Sequence, residues 1–165
     1  LAKKAAPYTA PGYALLEGLA LGGISAFYET RYPGIVIQAV GLTFGTLACL
    51  LAAYRSGLIK ATENFKLGII AATGAIALLY IVNMVMSMFG HSFGFIHEGG
   101  TVGILFSLVV VTVAALNLVL DFDFIENGVA NGSPKYMEWY GAFGLLVTLV
   151  WLYLEMLRLL SKLRK

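Results

Sequence analysis

Few side chains in this sequence could do chemistry, and the most telling are acids set inside apolar runs. Leu116-Asn-Leu-Val-Leu-Asp121-Phe-Asp123-Phe-Ile-Glu126 closes one run, and Trp151-Leu-Tyr-Leu-Glu155 lies near the end of another. A charged side chain at the centre of a bilayer costs about 2.5–3.5 kcal/mol on insertion scales, so each one asks for a partner or a use. No basic residue lies in the run that holds Asp121. At helical spacing, Gly103, Ser107, Val110, Ala114, Asn117 and Asp121 share one small and polar seam, which turns Asp121 toward a bundle interior. Gly141, Gly144, Thr148, Trp151 and Glu155 form a similar seam, so Glu155 should also look inward. Asp123 lies about 200° around the axis from Asp121, and with Glu126 it reads as a solvated helix end. Carboxylates there are disfavoured by the macrodipole. Arg158 can pair with Glu155 along the helix, or snorkel to the interface with Lys162, Arg164 and Lys165.

If Asp121 and Glu155 meet, two carboxylates in low dielectric cannot both ionise cheaply, so they share a proton and titrate as a unit. That proton holds two helices together. Its loss favours separation and a carboxylate-lined opening that attracts cations, and hard ions such as Ca²⁺ select oxygen ligands. Geometry sets one obstacle: in antiparallel neighbours, two acids that each end a span fall near opposite faces. Contact requires a shorter or displaced last span, or a polar path between separate rings.

The elements that must position these acids are membrane spans. The chain has 165 residues, 59% hydrophobic and 12% charged, with mean hydropathy +0.84. Soluble domains run nearer about 45–50% and 25%, so an ordinary water-soluble globule is excluded. Blocks of roughly 20 apolar residues are long enough to cross a bilayer. Turn signals and charges divide the chain into five spans, 13–28, 35–54, 67–89, 102–122 and 139–157, in a single all-α domain over residues 1–165. A membrane barrel needs alternation of apolar and polar residues, whereas the segment from Gly103 to Leu116 is apolar on all sides. Tyr13, Tyr28, Tyr54, Phe89, Trp139 and Tyr140 fall at span ends, where amphipathic rings prefer to sit. Glu17 lies close enough to an end to reach the headgroups.

Charge excludes one partner and leaves orientation open. A net +2, scattered along the chain, makes no phosphate-tracking stripe, so nucleic acid is not expected as a partner. Lys3, Lys4, Arg55, Lys60, Lys66 and Lys135 fall on one side of the membrane, and Arg31, Arg158, Lys162, Arg164 and Lys165 on the other. That near balance gives the positive-inside rule nothing to decide. Cys49 excludes an internal disulfide. Small residues recur at helical spacing: Gly18, Gly22, Ser25 and Glu29 in the first span, and Gln38, Gly41, Gly45, Ala48 and Ala52 in the second. Such stripes let helices approach closely in lipid and predict a tight bundle.

Four segments carry a resemblance. They are Glu17-Gly-Leu-Ala-Leu-Gly-Gly23, Tyr32-Pro-Gly-Ile-Val-Ile-Gln-Ala39, Ala115-Leu-Asn-Leu-Val-Leu-Asp-Phe-Asp-Phe-Ile-Glu-Asn-Gly128 and Trp151-Leu-Tyr-Leu-Glu-Met-Leu-Arg-Leu-Leu160. Together and in order they resemble the Bax inhibitor family, the YccA-like transmembrane Bax-inhibitor-motif proteins, in its bacterial branch. The resemblance implies a seven-helix bundle with the last helix central, so two helices are expected upstream of a chain that opens on Leu1. It also implies a calcium leak that responds to pH in a bacterial plasma membrane. Matched by motif, Asp121 is then the first acid of the sensor and Glu155 the second, with Asn117, Asp123 and Arg158 as supporting polar groups. The chain departs from the family twice: the second acid is usually Asp, and the connection from Asn127 to Tyr136 looks longer than in most relatives.

The remaining signals are weaker. His91, Ser92, His97 and Glu98 do not have His-Glu-x-x-His spacing, and no metal site or cofactor is expected apart from transported Ca²⁺. No strained nucleophile turn marks an enzyme. Met84, Met86 and Met88 read as packing filler, and Asn83, on one face with Tyr80 and Ser87, as an interhelical hydrogen bond. The rival to a leak is a regulatory bundle that docks on a larger membrane complex, such as a protease.

Overall fold

The structure is a computed structural model and describes residues 3–164, all of them helical or in connections between helices. The all-α bundle expected from the sequence is what the chain forms, in place of any strand among the described residues. After a single turn of tight helix at Lys3–Ala5 come α1 (Ala6–Arg31), α2 (Ile35–Arg55), α3 (Glu63–Met88), the one-turn α4 (Gly94–His97), α5 (Thr101–Ala130) and α6 (Tyr136–Leu163). Lys165 lies outside the described residues.

Four of these helices, α2, α3, α5 and α6, are long and apolar enough to cross a membrane. The first of the five expected spans is not among them. Its helix, α1, has the length at 26 residues, but glycine, alanine, Pro11 and Glu17 dilute its apolar content. The boundaries moved for local reasons. Thr62 caps α3 by accepting from the Phe65 amide at 3.2 Å, which starts that helix a turn before Leu67. Helix α5 does not end at Phe122: it continues through Asp123, Glu126 and Asn127 to Ala130 and stops where Gly132 takes φ +64°. Asn131–Lys135 is all that then remains of the expected long connection.

The α1–α2 turn shows the same local logic. Gly34 adopts φ +85°, a left-handed conformation that a side chain would strain. Glu29 fastens the turn, accepting from the Gly34 amide at 2.7 Å and the Val36 amide at 3.1 Å. Arg164, just past α6, donates to Pro33 O and to Gln38 Oε1, so the hairpin is tied to the end of the last helix.

Helix α6 is the hub, with α1, α2 and α5 packed against it. The core joins Ile35 and Ala39 of α2, Ala114, Leu118 and Phe122 of α5, and Leu152, Tyr153, Met156 and Leu157 of α6. The small-residue stripe of α2 takes no part in this. Gly41 and Gly45 have nothing within 4 Å of where a Cβ would stand, and the same holds for Gly18 and Gly22 of α1. The packed face of α2 is Ile35, Ala39 and Thr43 instead. The close approach occurs elsewhere: a Cβ at Gly141 would lie 3.1 Å from Ile125 Cγ1, which sets the register of α5 against α6. Asn83 is buried, and its Oδ1 accepts from the Phe93 amide at 2.8 Å, which braces the loop after α3.

Candidate functional site

The polar seam of α5 faces the bundle as its spacing requires: Gly103, Ser107, Val110 and Ala114 are buried. Asn117 continues it and donates through Nδ2 to Thr73 Oγ1 at 2.9 Å, joining α5 to α3. A turn further on, Asp121 lies against α6. Its Oδ1 is 3.8 Å from where a Cβ on Gly144 would stand, the Thr148 side chain lies alongside, and its buried Oδ2 has no hydrogen-bond partner.

Glu155 sits in a different setting on the same helix. Only 2% of it is exposed. Its Oε1 accepts from Tyr80 Oη at 3.0 Å and from Arg158 Nη1 at 3.1 Å, and the Arg158 guanidinium lies over the Tyr80 ring. Of the two roles open to Arg158, pairing along the helix is the one adopted, with the outer part of the side chain still partly exposed. A buried carboxylate with a hydrogen-bonded counter-charge is held far more cheaply than one without.

The two acids therefore do not share a proton in this conformation. Thr148, beside Asp121, precedes Glu155 by two turns of α6, roughly 10 Å along the axis at 1.5 Å per residue. The register explains the separation. Gly141 meets Ile125 at one end of the α5–α6 pair, and at the other Lys162 Nζ donates to Ser107 Oγ at 2.8 Å and Gly103 O at 3.2 Å. That arrangement sets Asp121 toward the Gly141 end and Glu155 toward the Lys162 end. Asp121 is also not at a helix terminus, since α5 runs on to Ala130, so the macrodipole has little hold on it.

Asp123 and Glu126 lie in the last turns of α5, Glu126 exposed and Asp123 half-buried, and both have partners. Asp123 pairs with Lys66 Nζ at 2.6 Å and accepts from Asn127 Nδ2, while Glu126 accepts from the Tyr54 hydroxyl. These contacts fasten α5 to α3 and α2 beside Asp121. Lys162 does not snorkel either: it is 4% exposed and reaches inward to the α5 seam. Sequence reading missed Tyr80, Lys66, Tyr54 and Lys162 as members of this polar framework. Spacing alone could have marked Tyr80, a hydroxyl in mid-helix, but its partner lies 75 residues away.

A family model described as Bax inhibitor 1 like matches residues 1–165 of the chain. No curated protein and no solved structure matches it.

Proposed function

The chain belongs to the Bax inhibitor 1 like family, and from that premise we propose that it is a cation leak of a bacterial plasma membrane, passing Ca²⁺ and opening in response to pH, with Asp121 and Glu155 as its acidic gate. The observation that supports this most is the buried, unpartnered Oδ2 of Asp121 on a seam of small residues. An uncompensated carboxylate in that position is costly, so the closed packing favours a proton on the group. Release of the proton puts a charge between α5 and α6, and parting the helices then admits a cation to its oxygens. Glu155, clamped by Tyr80 and Arg158, supplies the second acidic position further along α6. The reading thus uses two acids at successive depths, a polar path between separate stations, in place of one shared proton. It requires no catalytic group and no resident cofactor.

The test is calcium flux into calcium-free vesicles carrying an indicator dye, measured across pH for the wild type, Asp121→Asn and Glu155→Gln. The expected result is loss of the pH response in Asp121→Asn and an altered profile in Glu155→Gln. Three indistinguishable profiles would overturn the gate.

A second reading rests on the open glycine faces of α1 and α2, where Gly18, Gly22, Gly41 and Gly45 meet nothing within 4 Å. Smooth faces of this kind suit another helix in lipid, and a regulatory bundle docked on a larger membrane complex would use them. A native pull-down that returns no stoichiometric membrane protein counts against it.

A further inference from the structure

At the end of the bundle where α1 and α6 finish, a pocket of about 280 Å³ opens beside the guanidinium groups of Arg31 and Arg158. Arg31 comes from the last turn of α1 and Arg158 from α6, with the hydroxyls of Tyr28 and Tyr32 around them; Lys162 and Ser161 line the floor, the Lys162 ammonium reaching inward to Ser107 Oγ and the Ser161 hydroxyl donating to Arg158 O. The acid nearest these cations on α6 is Glu155, which is engaged by Arg158. Glu29 on α1 is occupied by the amides of Gly34 and Val36. Among the described residues Arg31 has no ion pair, so the rim keeps a full positive charge with room beside it. The C-terminal dipoles of α1 and α6 oppose an anion here, but they amount to fractions of a charge and act over a single turn.

We infer that this pocket holds the phosphate of an anionic phospholipid headgroup. Guanidinium groups and hydroxyls are the donors that phosphate oxygens take, and basic pockets at helix ends are where anionic headgroups bind. A lipid is favoured over a soluble phosphate because the rim is also apolar. Phe27 lines the pocket and is 61% exposed, and Leu163, which follows Lys162, is 56% exposed. Acyl chains would lie against such side chains while the headgroup sits among the cations. The inference does not depend on the leak, because no flux is needed to observe binding.

Thermal unfolding of the detergent-solubilised chain tests it, with short-chain phosphatidylglycerol, matched phosphatidylcholine and inorganic phosphate as probes. A ligand that binds only the folded state raises the melting temperature with its concentration. Phosphatidylglycerol should stabilise the wild type and Arg55→Gln, whose substitution lies at the opposite end of the bundle. Arg31→Gln should need roughly tenfold more of it, the loss of one charge-assisted contact. Phosphatidylcholine should do nothing. An equal response in Arg31→Gln and wild type, no response to phosphatidylglycerol, or a full response to inorganic phosphate alone would each overturn the assignment.

Discussion

Glu155 and Asp121 show how far the fate of a carboxyl depends on its neighbours. Both are acids on small-residue seams, yet one receives a phenol and a guanidinium while the other has an oxygen with no partner. A hydrogen bond to a charged group contributes about 1.5–3 kcal/mol, against about 0.5–1.5 kcal/mol for a neutral one. Tyr80→Phe, which removes a donor from Glu155, should therefore cost more stability than Tyr153→Phe, which loses the bond of 2.6 Å to Ser25 Oγ. Unfolding of both variants in detergent gives the comparison, and equal losses would mean that the bond from Tyr80 to Glu155 contributes no more than a neutral one.

A small-residue pattern marks where helices could approach, and side-chain volume at a few contacts decides where they do. Glycines at helical spacing on α1 and α2 suggested close helix contacts, but the contact that requires glycine is Gly141 against Ile125. On α2 the face turned to the core is Ile35, Ala39 and Thr43, not the glycine stripe. Gly141→Ala should cost about 1–3 kcal/mol through overpacking. Gly45→Ala, in open space within a helix, should be neutral or stabilising by about 0.5–1 kcal/mol. Melting temperatures that fall alike in the two variants would contradict this account of the register. The length of α5 teaches a related lesson. Its acidic end looked like a helix terminus in sequence, and it stays helical because Lys66, Tyr54 and Asn127 give Asp123 and Glu126 partners.

Across the whole molecule, a polar clasp closes each end of the bundle. One end joins α5 to α2 and α3 through Glu126 and Asp123, and the other joins the α1–α2 turn to the end of α6 through Glu29 and Arg164. The Gly34 and Val36 amides hold the Glu29 carboxyl below the usual carboxylate range. Its contribution is therefore complete above that range and is lost as pH falls through the lowered value. Wild type should melt higher than Glu29→Gln at neutral pH, with the gap closing below about pH 4. A gap that stays constant with pH would assign the turn's stability to shape alone.

Composition and the period of the apolar runs were enough to determine a helical membrane bundle and the inward seams of Asp121 and Glu155. Those properties follow from length, hydropathy and 3.6-residue periodicity, which are local. The pairing of Glu155 with Tyr80, the burial of Lys162 and the separation of the two acids were decided by tertiary structure. Each depends on the axial register of one helix against another, which side-chain volumes at contacts such as Gly141–Ile125 set and no single helix encodes.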